Sequence, residues 1–180
     1  MILTAFRRAQ RTRNILALYG AIVAQARQPA FYSDFGVPDT VEGRFELIVL
    51  HLVLFLDRLG RGPAASSVGQ QLFDVFCRDL DDNLREMGVG DLAVPKRMRR
   101  FGEAFYGRQA AYCAAVAVPD GQELEKAFAR NIFGVVGVDE RAARLAGYAR
   151  ALKGQLDTEA EEVLLAGKVH LPSPEAFSHV

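Results

Sequence analysis

The chain has 180 residues, half of them apolar and 24 % charged, which is enough for one sizeable core and excludes an intrinsically disordered chain. Its 22 basic residues balance 22 acidic ones, so no whole-molecule field gathers nucleic acid or anionic lipid, and electrostatic recognition must come from local asymmetry. Cys77 and Cys113 stand apart in helical segments, which excludes a disulfide framework and fits free, buried thiols in a reducing compartment.

The asymmetry begins at the amino terminus, where residues 1–30 hold five arginines (Arg7, Arg8, Arg11, Arg13, Arg27) and no carboxylate. RRAQRTR, ILALYGAIV and AQA together have the outline of a secretory signal. Tyr19 and Gly20 interrupt the apolar stretch and Gln25 and Arg27 follow it, so an amphipathic helix over Thr12–Gln28 is the better reading. Pro29 ends that helix, and AFYSDFGVP makes an aromatic loop. Asp39 with Glu42 resembles a capping box opening a second helix, whose FELIVLHLVLFL run is too short to span a bilayer and is flanked by charges. It is expected at the centre of the core.

GRGPAASS breaks the chain before a third helix, on which Phe73, Phe76, Leu80, Leu84 and Met87 share one face and five carboxylates crowd Asp74–Glu86. Gly88 and Gly90 close it, and Pro95 suits the first residue of a fourth helix with Met98, Phe101, Phe105, Tyr112 and Val116 as its apolar face. Pro119 and Asp120 stop that helix, and Asp120 with Glu123 caps a fifth that ends at Gly134. A sixth runs from Asp139 to Lys153, and a seventh from Thr158, with Glu161 as its box partner, to Lys168. The expectation is a single all-α domain over residues 1–180 of about seven helices around a buried central one, with 171–180 a loosely ordered tail.

No catalytic or metal-binding spacing stands out. His51, His170 and His179 share no ligand spacing, and His51 reads best as a satisfied core histidine, with a polar seam alongside Arg44 and Arg58 as the alternative. GVGDL follows a helix rather than a strand, so it reads as a helix-ending turn and not a phosphate loop. Asp79, Asp81 and Asp82 diverge by about 100° per residue on a helix and do not converge on one ion. Lys96, Arg99 and Arg100, with Glu103, cluster on one side of the fourth helix as a compact basic patch, either an ordinary solvated face or a contact for phosphates or lipid head groups. In YGRQAAY, Gly107 interrupts a helix and suggests a close neighbour, while Arg108 at the stripe's edge needs a carboxylate, with Asp79 or Asp57 as candidates, or else lines a cleft.

The residues FYSDFGVPDTVEGRFELIVLHLVLFLDRL and FDVFCRDLDDNLREMGVGDLAVPKRMRRFGEAFYGR resemble the ubiquinol-cytochrome c chaperone family over roughly residues 19–165, most specifically in the REMGVGD turn and the FYGR helix. The resemblance implies an all-helical assembly chaperone that binds newly made cytochrome b or an early intermediate of the cytochrome bc complex. In mitochondrial members it also implies the ribosome and a small partner protein. The family carries no catalytic residues, so no enzyme activity, cofactor or metal is implied. Arg85, Asp91, Arg99, Phe105, Tyr106, Gly107, Arg108 and Tyr112 match its signature positions and, with Lys96 and Arg100, are the candidates for client or partner binding. The chain starts close to the domain without the long mitochondrial extension, and its alanine- and arginine-rich composition looks bacterial. A cytoplasmic protein, a monomer or one with a small partner, is therefore expected, peripheral at the inner membrane at most and without a DNA partner. The alternative is an RNA- or ribosome-binding factor acting through the arginine-rich first helix and KRMRR; a helical enzyme or haem carrier built on His51 is a third, weaker reading.

Overall fold

The computed structural model describes residues 2–61, 63–118 and 121–177. Among these the chain is all helical: α1 (Ile2–Ala26), α2 (Ala30–Ser33), α3 (Val41–Leu59), α4 (Pro63–Glu86), α5 (Val94–Val116), α6 (Glu123–Asn131), α7 (Glu140–Thr158), α8 (Glu161–Leu165) and a closing 3-10 turn, Pro174–Phe177. All seven expected helices are present. The addition is α2, one turn inside the aromatic loop, which buries Ala30 and Phe31.

The centre is α3. Every residue from Val49 to Phe55 is buried, and the helix is packed on four sides by α1, α4, α5 and α7. A helix apolar all round has no solvated face to offer, so its neighbours must supply the charged exterior. Thr40, rather than Asp39, caps it: the Thr40 hydroxyl accepts from the Gly43 amide at 3.1 Å, and Asp39 instead takes the Arg44 guanidinium at 2.7 Å. The entry is tight, because a Cβ at Gly43 would stand 2.0 Å from the Pro38 carbonyl oxygen. Glycine is required there.

Several boundaries differ from expectation. The first helix begins ten residues earlier, at Ile2 instead of Thr12, and its Ile15, Leu18, Tyr19, Ile22 and Ala26 belong to the core, so the signal-like segment is structural here. GRGPAASS does not separate two helices cleanly, since α4 starts at Pro63 and already buries Ala65 and Val68. Proline is favourable in a first turn, and the small residues after it are no barrier to a helix held by packing. Pro95 is the second residue of α5, not the first. The α6 cap is Gln122, without a side-chain bond; Pro119 and Asp120 lie outside the described residues. Asp139 does cap α7, accepting from the Arg141 and Ala142 amides at 2.9 and 3.3 Å. That helix runs through Gly154 to Thr158, so Thr158 closes α7 instead of opening α8.

Residues 171–177 are not loose. Pro174 is buried, the Phe177 ring stands edge-on to Tyr148 at 5.9 Å, and the Pro172 carbonyl accepts from Gln25 at 2.8 Å. That carbonyl ends a buried polar chain through the core. The His51 Nδ1–H donates to the Leu47 carbonyl at 2.7 Å, the Tyr148 hydroxyl donates to His51 Nε2 at 2.8 Å, and Gln25 donates to both Tyr148 and Pro172. His51 is thus a satisfied core group. The polar seam is absent: Arg44 is engaged outside by Asp39, and Arg58 donates to the Leu156 and Glu159 carbonyls, each at 2.9 Å.

Candidate functional site

The signature positions fall on the α4–α5 hairpin, where the structure divides them into three groups. The first group closes the turn. The Val89 amide bonds the Leu84 carbonyl and the Gly88 amide bonds the Arg85 carbonyl, with Gly88 at φ +79°, which is a Schellman stop. Arg85 then spans it, reaching Asp81 at 2.7 Å on its own helix and Asp91 at 2.5 Å across the turn. REMGVGD is therefore a helix stop tied by one arginine. Met87, expected on the buried stripe, lies past the end of α4 and is exposed.

The second group anchors α5 to the core. Phe105 is buried against Phe73 and Phe76, at ring distances of 4.9 and 5.9 Å. Tyr112 is buried edge-on to Phe128, and its hydroxyl accepts from Asn131 at 3.2 Å. Arg108 makes a two-pronged pair with Glu46 of α3, Nε to Oε2 at 2.6 Å and Nη2 to Oε1, and also bonds the Ala104 carbonyl. The partner is neither Asp79, which accepts from the Tyr19 hydroxyl at 2.7 Å, nor Asp57, which is held by Arg61 and Lys153. Glu46 lies at the start of the most apolar run of the chain, where local pattern gives no sign of an ion pair. Burial pushes its carboxyl above the usual range and Arg108 offsets this only in part. Burial also works against the Arg108 cation, but the bonds from Glu46 outweigh it and hold that group above the usual arginine range.

The third group faces outward. Tyr106 is 60 % exposed, and Gly107 is exposed with nothing within 4 Å of where a Cβ would stand, so the expected close neighbour is absent among the described residues. Tyr106 borders a cleft of about 200 Å³ between α4 and α5, floored by Leu56, Phe73 and Phe105 and rimmed by Ser66, Gln70 and Gln109. Lys96 and Arg100 are exposed near the start of α5, and Arg99 pairs with Glu103 at 3.2 Å. A larger cleft of about 490 Å³ runs between α1 and α4, lined by Ile15, Leu16, Tyr19 and Val75 and by Arg78, Asp79 and Asp82. Among the described residues no group of histidines, cysteines and carboxylates converges as a metal site. Cys113 is pushed up to about 11, by burial first and then by Asp57, which leaves it a poor nucleophile.

The sequence profile described as Ubiquinol-cytochrome C chaperone matches residues 33–171, which takes in α3 to α8 and both signature segments. The chain belongs to the ubiquinol-cytochrome c chaperone family. Within it, the chain is 26 % identical over 157 residues to the ubiquinol-cytochrome-c reductase complex assembly factor 1 of Xenopus laevis, covering 86 % of this chain and 78 % of that one. The crystal structure of the Cbp3 homolog from Brucella abortus superposes with a TM-score of 0.86 at 40 % identity, over 97 % of this chain and 98 % of the other. Family membership makes this an assembly-factor fold for the ubiquinol-cytochrome c reductase complex. Among its described residues, no helix of this ubiquinol-cytochrome c chaperone is long and apolar enough to cross a membrane.

Proposed function

We propose that this chaperone holds newly made cytochrome b, or an early intermediate containing it, on the outer face of the α4–α5 hairpin. It does so by binding alone, without a chemical step. The observation that carries the reading is the pairing of an exposed Tyr106 with an unfilled backbone position at Gly107, beside an aromatic-floored cleft, on a helix clamped to the core by Phe105, Arg108 and Tyr112. A rigid helix with an open glycine lets a client backbone approach closely, and a large aromatic at its edge supplies contact area at low entropic cost. Arg85 and Asp91 set the turn, while Lys96, Arg99 and Arg100 provide a charged rim.

A photo-crosslinker at Tyr106 in the native cell recovers cytochrome b under mild detergent, whereas one at the far side of the fold, on Glu162 of α8, does not. Recovery of unrelated abundant proteins alone, or equal recovery from both positions, rejects the surface. A second reading, contact with ribosomal RNA, is favoured by Arg7, Arg8 and Arg13, exposed along one end of α1 where the first 30 residues hold no carboxylate. It requires co-sedimentation with ribosomes that falls steeply between low and moderate salt.

A further inference from the structure

The turn between α4 and α5 carries exposed apolar residues that neither the core nor the cleft uses. Leu92 is 99 % exposed and Met87 56 %. Both belong to a turn fixed by the Schellman bonds and by the Ala93 and Val94 amides on the Gly90 carbonyl, so they are held out by ordered backbone. An exposed leucine at a loop tip is common alone. Here it has charged company.

The segment from Arg85 to Arg100 holds five cations, Arg85, Lys96, Arg97, Arg99 and Arg100, against two carboxylates, Glu86 and Asp91. Asp81 and Asp91 take Arg85, and Glu103 takes Arg99. Lys96, Arg97 and Arg100 remain exposed with no ion pair among the described residues, within two turns of Leu92. On a helix these three lie within about 100° of one another and form one face.

We infer that the α4–α5 tip is a membrane-docking surface: Leu92 and Met87 enter the interfacial region of an anionic bilayer while Lys96, Arg97 and Arg100 meet its head groups. Charge complementarity selects the occupant. Three cations without an ion pair among the described residues, on a chain of zero net charge, give a local attraction to anionic lipid. Protruding apolar side chains ahead of them match the layered polarity of a bilayer interface better than the polar backbone of RNA, which favours stacking aromatics over aliphatic tips. The long lysine and arginine stems let the charges stay at head-group level as the tip enters. Lys96 and Arg100 also stand on the charged rim of the proposed client face, so the two roles are separated by working on vesicles with no client present.

The test uses the full chain with phosphatidylcholine vesicles, with and without phosphatidylglycerol. The protein co-sediments with the anionic vesicles, and added salt weakens the association. Each cation at such a surface is worth about five-fold in partitioning, so Lys96→Gln, Arg97→Gln and Arg100→Gln together weaken it about a hundred-fold. The chain has no tryptophan, so Leu92→Trp introduces a single reporter whose emission shifts to the blue on anionic vesicles and is quenched by brominated lipid. Since all four positions are exposed, an unchanged far-ultraviolet circular dichroism spectrum accompanies each variant. Failure of the parent chain to bind anionic vesicles overturns the inference. So does undiminished binding by the triple variant, or a tryptophan whose emission is unmoved while the protein is bound. Retention on RNA, or self-association abolished by Leu92→Asp, in the absence of vesicle binding assigns the tip to those occupants instead.

Discussion

Arg108 and Glu46 show how a signature residue can serve the fold while sitting at the edge of the proposed binding face. Their pair joins α5 to the central helix in a place where Glu46 is nearly inaccessible. Removing one partner of such a pair leaves a buried charge, at a cost of about 3–5 kcal/mol. Arg108→Met therefore lowers stability near neutral pH. Without Arg108 the Glu46 carboxyl, already raised by burial, rises further and takes up a proton as pH falls. The loss is thus greatest near neutrality and shrinks toward about pH 5. Urea unfolding at the two pH values checks this, and an equal loss at both shows that Glu46 does not carry the effect. Glu46→Leu combined with Arg108→Met regains much of the stability, because an apolar pair leaves no charge behind.

Helices are the scale at which most of the fold is legible in the sequence. The three-and-four spacing on α4 and α5 and the continuous apolar run of α3 mark which faces go inward, because burial is what selects those residue types. What local pattern does not encode is the register of one helix against another. Arg108 on its own asks for a carboxylate, but only the packing of α5 on α3 brings Glu46 to it instead of Asp79. The start of α4 is hidden for a related reason, since tertiary packing holds residues 63–67 helical where propensity argues for a break. Gly107 is the converse case, a helix-interior glycine with open space around it and no conformational need for one. Gly107→Ala stabilises the isolated protein by about 1 kcal/mol. If the client backbone lies on that position, the same change weakens co-purification of the client. Thermal melting together with pull-down from cells separates the two effects, and a stabilised variant with full client recovery removes Gly107 from the binding face.

Across the whole molecule, the buried chain through Leu47, His51, Tyr148, Gln25 and Pro172 links α3, α7, α1 and the closing segment. Burial lowers the His51 imidazole to about 4, with the Leu47 bond opposing it, so the folded protein keeps His51 neutral where an unfolded chain takes up a proton. Because the folded value lies below the unfolded one, this contribution is complete above about pH 6.5 and is lost as pH falls toward about 4, up to about 3 kcal/mol. Denaturant midpoints followed through that window decline, and His51→Gln flattens the decline even though it also weakens the protein at neutral pH. A parent and variant with the same slope would assign the acid sensitivity to other groups. The docked 171–177 segment escapes a local reading because its short, proline-interrupted sequence has no periodic face; its place is set by Tyr148 and Gln25, more than 100 residues away from one another.

The four-sided enclosure of α3 has a kinetic consequence. A protein whose most apolar helix is already wrapped by four neighbours leaves that helix no free face to lend to a guest helix. On the proposed client face a client would be gripped from outside, by helices that packing on the core already holds folded. Hand-over then needs no unfolding of the holder, and its speed is set by the dissociation of surface contacts, which one exposed side chain can tune.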